Sequence, residues 1–165
     1  MNEPRIYICQ HFRIEELVPP EMFEAFKYNP VKLWMLFDRF ALITLDLLRE
    51  RYGTCTVNNW LWDGNYKYSG WRPFDCKDGA KLSQHKWGRG FDAKFKYITP
   101  QEIWQDMIKN PNDEAFRHIR RIEAFPKMTW FHFDTGNVWR PDAVRIFGNG
   151  TERSPLPDFI YREAA

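Results

Sequence analysis

The longest regular pattern of apolar and polar positions in the chain lies between Leu33 and Tyr52. Apolar side chains recur there at steps of three and four residues, a spacing that places them on one face of an α-helix. Arg49 and Arg51 occupy the last turn before Gly53, as is typical of a helix C-terminus. The pattern predicts one long helix that opens at Asn29-Pro30. The positions that follow this spacing are Leu33, Trp34, Phe37, Phe40, Ala41, Thr44, Leu45 and Leu48.

Shorter patterns predict the other elements. Alternation of apolar and polar residues indicates strands, and proline, glycine and capping residues mark the ends of helices. The expected strands are Arg5–Cys9, Thr54–Leu61, Phe91–Tyr97, a segment around His132 and Val144–Phe147; the expected shorter helices are Glu21–Lys27, Thr99–Lys109 and Asp113–Phe125; an irregular loop is expected from Tyr66 to Leu82. The prediction is a single α+β domain over residues 1–165, with a core at about 11–147. A mostly antiparallel central sheet carries helices on one side, and the tail after Gly148 is loosely attached.

Composition narrows the classes of function. The 165 residues are 44% hydrophobic and 28% charged, as in a globular domain. A net charge of +2 gives no electrostatic reason to expect a nucleic-acid partner. No apolar stretch reaches the length that spans a bilayer, so no membrane partner is expected. We expect a monomer.

The cysteines and the first residues bear on localisation. Cys9, Cys55 and Cys76 are odd in number and lack C-x-x-C spacing, which argues against a disulfide scaffold and a structural cysteine zinc site. The start of the chain has no basic segment followed by an apolar run, so we expect synthesis in the cytoplasm without a signal peptide. Action outside the cytoplasm would then require export by a lysis system or mounting in a virus particle.

Two histidines and one aspartate stand out as candidate metal ligands. His85 and Asp92 flank Gly88 and Gly90, which allow a loop to enter a strand and turn both side chains toward one point. His132 lies within the aromatic segment Met128–Gly136. Catalytic zinc sites commonly use three such nitrogen and oxygen ligands and keep the fourth position for water. A lone histidine is more often structural, but His85 and His132 come with Asp92 and a frame of serine and glycine. His11 and His118 lack such a frame and are expected to be surface or partly buried polar residues, with His118 a minor candidate for the site.

These residues resemble the zinc D-alanyl-D-alanine peptidases and related phage endolysins, which share a fold with lysostaphin-type enzymes and the hedgehog signalling domain. Ser83, His85, Gly88 and Asp92 match the family pattern S-x-H-x-x-G-x-A-x-D, with Gly90 where the family prefers alanine. The segment Tyr68–Pro73 is similar to the family's S-G-[YW]-R. The resemblance spans about residues 11–147. It implies Zn²⁺ held by His85, Asp92 and His132, and a substrate- or oxyanion-binding role for Arg72.

The general base of the family has no equivalent at its usual positions. Family members carry a glutamate three residues before the last ligand or a histidine two before it, and here these are Thr129 and Trp130. His132-Phe-Asp134-Thr-Gly is similar to a subset of phage and cell-wall proteins. Asp134 shares the strand face of His132, so it is the predicted base or, alternatively, an orienter of the ligand. Glu123, supplied from the helix expected before the strand, is a further candidate.

The resemblance implies a zinc peptidase that hydrolyses an amide bond in peptidoglycan stem or cross-link peptides, as a D-Ala-D-Ala carboxypeptidase or an endolysin-type endopeptidase. The alternative is a non-catalytic virion structural or wall-binding module that keeps the fold, with virion proteins as partners. A third interpretation, an iron oxygenase with an H-x-D triad, needs a later histidine that the sequence lacks. Four tryptophans near the motifs would pack in the core or floor a substrate groove: Trp71, Trp87, Trp130 and Trp139.

Overall fold

The computed structural model describes residues 6–136, 140 and 142–162. Over these ranges the chain forms one α+β domain built on a single six-stranded sheet, so the predicted fold class is confirmed. The spatial order of the strands is β1-β2-β4-β3-β5-β6, and every neighbouring pair is antiparallel except β3 and β5. The strands are β1 (Cys55–Thr56), β2 (Gly90–Phe95), β3 (Arg121–Glu123), β4 (Phe131–Asp134), β5 (Ala143–Phe147) and β6 (Phe159–Tyr161).

Three α-helices accompany the sheet: α1 (Pro20–Ala25), α2 (Arg39–Tyr52) and α3 (Pro100–Lys109). The capping box predicted for α3 is present, because Thr99 and Glu102 exchange side-chain-to-backbone hydrogen bonds. Phe37 precedes α2 and stacks on Phe91 of β2, with ring centroids 5.6 Å apart. These contacts join the start of α2 to the centre of the sheet.

The long helix begins later than the sequence pattern predicted. Residues Pro30–Leu36 form a separate 3₁₀ helix, and α2 starts only at Arg39. Asp38 causes the break, because its carboxylate accepts hydrogen bonds from the backbone N–H groups of Phe40 and Ala41. A residue in this capping role needs extended backbone angles, which a continuous helix would not allow.

One predicted strand is absent over its described residues, and another is shorter than predicted. Residues 6–9 form no strand; Tyr7 and Cys9 instead hydrogen-bond Asp46 and Leu42 of α2, while Arg5 lies outside the described residues. The strand expected over Thr54–Leu61 shrinks to Cys55–Thr56, because the chain turns at Asn58 to bond other segments.

The helix predicted over Asp113–Phe125 is also wrong. Only Glu114–Phe116 is helical, as one 3₁₀ turn, and the chain then enters β3. Hydrogen bonds to both neighbouring strands hold β3 between β4 and β5, so pairing with distant segments overrides the local helical spacing.

The tail after Gly148 is not loosely attached over its described part. Residues 159–161 form β6, which pairs with β5, and Ile160 is only 6% exposed. The Arg162 guanidinium also donates to the carbonyls of Phe116 and Ile119. No helix among the described residues is long and apolar enough to cross a membrane.

Candidate metal centre

The register of three strands brings the predicted ligands onto one row of the sheet. Asp92 of β2 lies opposite His132 of β4, and His132 lies opposite Glu123 of β3. Directly opposed residues of antiparallel strands project to the same face, with Cβ atoms about 4.5–5.5 Å apart. The next row on that face contains Gly90, Asp134 and Arg121. Ligands and charged neighbours therefore share one surface.

His85 reaches this row from outside the sheet. It lies on a short 3₁₀ helix, Gln84–Trp87, that ends at Gly88 with a positive φ of 66°. A Cβ at position 88 would lie 1.9 Å from the carbonyl oxygen of Leu36, so a side chain would push the turn away from the 3₁₀ segment before α2. Glycine is needed here for both conformation and space.

Three donor atoms converge at the centre. His85, Asp92 and His132 each offer one ligand atom, and these atoms lie within 4.8 Å of one another. Ligands at the usual zinc distances in tetrahedral geometry are roughly 3.4 Å apart. The Nε2 of His85 is 3.3 Å from Oδ1 of Asp92, which fits, while Nδ1 of His132 is 2.7 Å from the same oxygen, a direct hydrogen bond. The triad could hold a metal ion.

Each imidazole is oriented through its other ring nitrogen. Nδ1 of His85 lies 2.8 Å from the carbonyl oxygen of Gly70, a distance that suits an N–H donor and leaves Nε2 with its lone pair toward Asp92. Nε2 of His132 faces Oδ2 of Asp134 at 3.6 Å. Metal-binding histidines are commonly fixed in this way by a carbonyl or a carboxylate.

Burial and charge set the protonation of the triad. Burial lowers the pKa of His85 and favours the neutral imidazole that a metal requires. Burial also acts to raise the pKa of Asp92, but His85 and His132 outweigh it and hold that pKa well below its usual range. Burial acts to lower the pKa of His132, yet the carboxylates of Asp134 and Asp92 raise it to about 9. A cation at the centre would take the place of that proton.

Arg72 is brought to the centre, as the sequence indicated, and it lines the pocket. Its Nη2 donates to Oδ2 of Asp92 at 2.8 Å, while Nε and Nη1 donate to the carbonyls of Tyr68 and Asp78. The guanidinium thus fixes the orientation of the Asp92 carboxylate, a candidate ligand. Its predicted contact with substrate or oxyanion stays a prediction.

Asp134 lies directly behind His132. It has no solvent exposure, and its carboxylate accepts two hydrogen bonds from Nε of Arg121, at 3.1 and 3.0 Å, and one from the backbone N–H of Gly136. Nη2 of Arg121 is 2.8 Å from Oδ2. These contacts match the alternative role considered for Asp134, orientation of a ligand, and its role as a base stays a prediction.

A pocket of about 350 Å³ opens over the triad. Its floor includes the three candidate ligands and Glu123, whose pKa is raised by burial. One wall is formed by the loop before His85, and the other by side chains of β3, β5 and the segment before β4. The wall residues are Arg72, Gly79, Ala80, Leu82, Ser83, Gln84, Arg121, Trp130 and Phe147.

The remaining sequence candidates divide clearly. Of the tryptophans considered for a substrate groove, Trp130 lines the pocket, Trp71 is buried in the core and Trp87 packs edge-on against Phe74. Trp139 lies outside the described residues. The ring of His118 packs on Phe40 rather than lining the pocket.

Sequence reasoning missed Arg121 and Gln84 and placed Glu123 on a helix. The Arg121-Ile-Glu123 alternation was the available signal, because two polar residues flank a fully buried isoleucine. Gln84 lies between the motif positions Ser83 and His85, and its Oε1 is buried without a hydrogen-bond partner among the described residues.

Comparison with known proteins identifies no relative: no protein-family model, curated protein or solved structure matches the chain.

Proposed function

We propose that the protein is a zinc-dependent peptidase that hydrolyses an amide bond in peptidoglycan stem or cross-link peptides. The observation that carries the proposal is the convergence of His85, Asp92 and His132 on the floor of an open pocket. Three nitrogen and oxygen ligands beside an open position are typical of catalytic zinc sites. When bound, zinc lowers the pKa of a water molecule to about 7 and polarises a carbonyl group.

The residues of the chain divide the remaining work. Arg72 and the Gly70 carbonyl hold Asp92 and His85 in position, and Asp134 does the same for His132. Arg121 keeps the buried Asp134 carboxylate paired while its side chain borders the pocket. A ligand set fixed at each member requires little rearrangement during the reaction.

The substrate assignment is supported by the sequence pattern. Ser83, His85, Gly88 and Asp92, together with Ser69-Gly-Trp-Arg72, resemble the peptidases that act on cell-wall peptides. The open pocket, with Leu82 and Trp130 on its walls, suits a short peptide segment. Both a D-Ala-D-Ala carboxypeptidase and an endolysin-type endopeptidase fit. We propose that the protein acts at the cell wall as a monomer, after export by a lysis system or as part of a virion.

The test joins metal content to wall hydrolysis. Mass spectrometry of the wild type should give about one zinc per chain, and His132→Ala should give none and release no new amine termini from sacculi. His118→Ala is the matched control, because His118 lies outside the pocket, and it should keep both properties. Circular dichroism checks the fold of each variant. A folded wild type that takes up no zinc, even after reconstitution, would end the proposal.

A second candidate function is a non-catalytic wall-binding or virion module. Thr129 and Trp130 favour it, since they stand where the resembling peptidases carry a base. Under this alternative the wild type binds zinc and sacculi, but prolonged incubation produces no amine termini.

A further inference from the structure

We propose that Glu123 is the proton acceptor of the hydrolysis, an inference that rests on the proposed function. Strand register places it, since Glu123 is directly opposite His132, which is itself opposite Asp92. The three side chains therefore project from one row of the sheet into one pocket. Thr129 and Trp130 occupy the positions at which the resembling peptidases carry their base, but the neighbouring strand β3 supplies an acidic residue, Glu123.

Among the described acidic residues near the triad, Glu123 differs from the others because its carboxylate has no hydrogen-bond or ion-pair partner. The carboxylate of Asp92 is shared by Arg72 and both imidazoles. Asp134 is fully buried, is paired with Arg121 and does not line the pocket. Glu123 lines the pocket, and its side-chain carboxylate forms no hydrogen bond or ion pair with any of the described residues, whereas its backbone pairs with β4 and β5.

An unpaired carboxylate that is partly withdrawn from water costs folding free energy, and such groups concentrate at functional sites. Glu123 is of intermediate burial, and its neighbours on the row are a ligand on one side and Phe147 on the other. The apolar ring limits its hydration without pairing its charge. This environment suits a base that must take up and return a proton.

Glu123 would carry a proton from the attacking water to the leaving nitrogen. As the oxygen of water forms a bond to the scissile carbonyl carbon, one water proton passes to the Glu123 carboxylate. The same proton then passes to the amide nitrogen as the C–N bond breaks. The immediate products are a carboxylic acid, which keeps the second water proton, and an amine; that proton then passes to the amine to give a carboxylate and an ammonium group, and Glu123 returns to its starting form.

The decisive variant is Glu123→Gln, which keeps size and removes the base. We expect it to keep about one zinc per chain and to lose roughly 10²–10⁴-fold in the rate of amine release. Glu114→Gln is the matched control, because Glu114 is exposed on a separate 3₁₀ turn, and it should match the wild type. Hydrolysis by Glu123→Gln within threefold of the wild type would overturn the assignment.

A second measurement does not depend on turnover. Acetohydroxamate, a chelator whose ionisable proton an adjacent carboxylate can accept, is titrated into Co²⁺-substituted protein and followed by visible absorption. We expect binding to Glu123→Gln to be at least tenfold weaker than to wild type and Glu114→Gln. Equal affinities in all three proteins would overturn the proposal, even where metal binding holds and the wild type proves inactive on sacculi. A wild type that binds no metal would instead overturn the proposed function and this inference together.

Discussion

Asp134 is a fully buried carboxylate that lies between two groups able to carry positive charge. It faces Nε2 of His132 on one side and the guanidinium of Arg121 on the other. A buried charge is tolerated only where it is paired and hydrogen-bonded, and Arg121 and the Gly136 backbone provide both. The carboxylate is shielded from solvent and faces the His132 ring, whose orientation it can fix.

Replacement of Asp134 by asparagine should weaken metal binding without removing it. The asparagine keeps the shape but not the charge that orients His132, so we expect a loss of about 10–100-fold in zinc affinity. Titration against a competing chelator measures this change.

The matched control is Asp63→Asn, at an exposed position with a φ of 59° that asparagine tolerates. It should leave zinc affinity unchanged. An Asp134→Asn protein with wild-type affinity would show that Asp134 does not orient the ligand.

At the scale of elements, the start of α2 and the turn after His85 form one unit. The backbone N–H of Asp38 donates to the carbonyl of Gly88 at 2.9 Å, and the Asp38 side chain caps α2. The Thr135 hydroxyl, just beyond β4, donates to the same carboxylate at 3.3 Å. The start of α2, the turn after His85 and the end of the strand that carries His132 therefore meet at Asp38.

Comparison of Gly88→Ala with Gly150→Ala tests this contact, because of the two glycines only Gly88 is crowded by another segment. Gly150 also has a positive φ, of 88°, but an added Cβ there meets nothing within 4 Å. Gly150→Ala should cost about 1–2 kcal/mol of unfolding free energy, the conformational penalty alone. Gly88→Ala adds the overlap with Leu36 and should cost roughly 3 kcal/mol or more.

Urea denaturation measures both variants, and zinc affinity should fall only in Gly88→Ala because the His85 turn moves. Equal losses of stability would mean that the turn can shift away from the 3₁₀ segment at no cost.

Local sequence signals predicted some elements correctly and failed where pairing with distant segments determines the secondary structure. The capping box at Thr99 and the alternation that includes Asp92 both act within a few residues, and both elements are present. The segment 113–125 carries helical spacing, yet Arg121–Glu123 pairs with strands on both sides. Register with His132 gives Glu123 its place in the pocket, and no spacing within the segment encodes that register.

The approach of His85 to Asp92 was predictable because the glycines between them and their fixed spacing describe a local turn into a strand, whereas His132 was selected by its residue type and by the resemblance. The surroundings of these candidate ligands were not predictable, since Arg121 and the walls of the pocket come from segments far apart in the chain. Asp38 shows the same limit of prediction from the sequence. The residues around it have a continuous helical spacing, and the break is visible only from the hydrogen bonds by which Asp38 caps α2.

At the scale of the whole molecule, the C-terminal segment completes the sheet that carries the site. β6 pairs with β5, β5 pairs in parallel with β3, and β3 carries Arg121 and Glu123. The edge strand β6 thus pairs directly with β5, whose Phe147 lines the pocket. The packing of β6 should therefore contribute to global stability, contrary to the expectation of a loosely attached tail.

Adjacent residues of β6 provide a matched pair for that prediction. Ile160 is 6% exposed and belongs to the hydrophobic core, whereas Tyr161 is 54% exposed. Ile160→Ala should lower the unfolding free energy by about 2–4 kcal/mol, because it removes buried methyl groups and leaves a cavity. Tyr161→Ala should cost less than about 1 kcal/mol, as is usual for surface positions. Denaturant unfolding of both variants measures the two losses of unfolding free energy. Equal, small losses would indicate that β6 is not part of the folding core. A large loss confined to Ile160→Ala would make β6 part of the folding unit that positions Glu123.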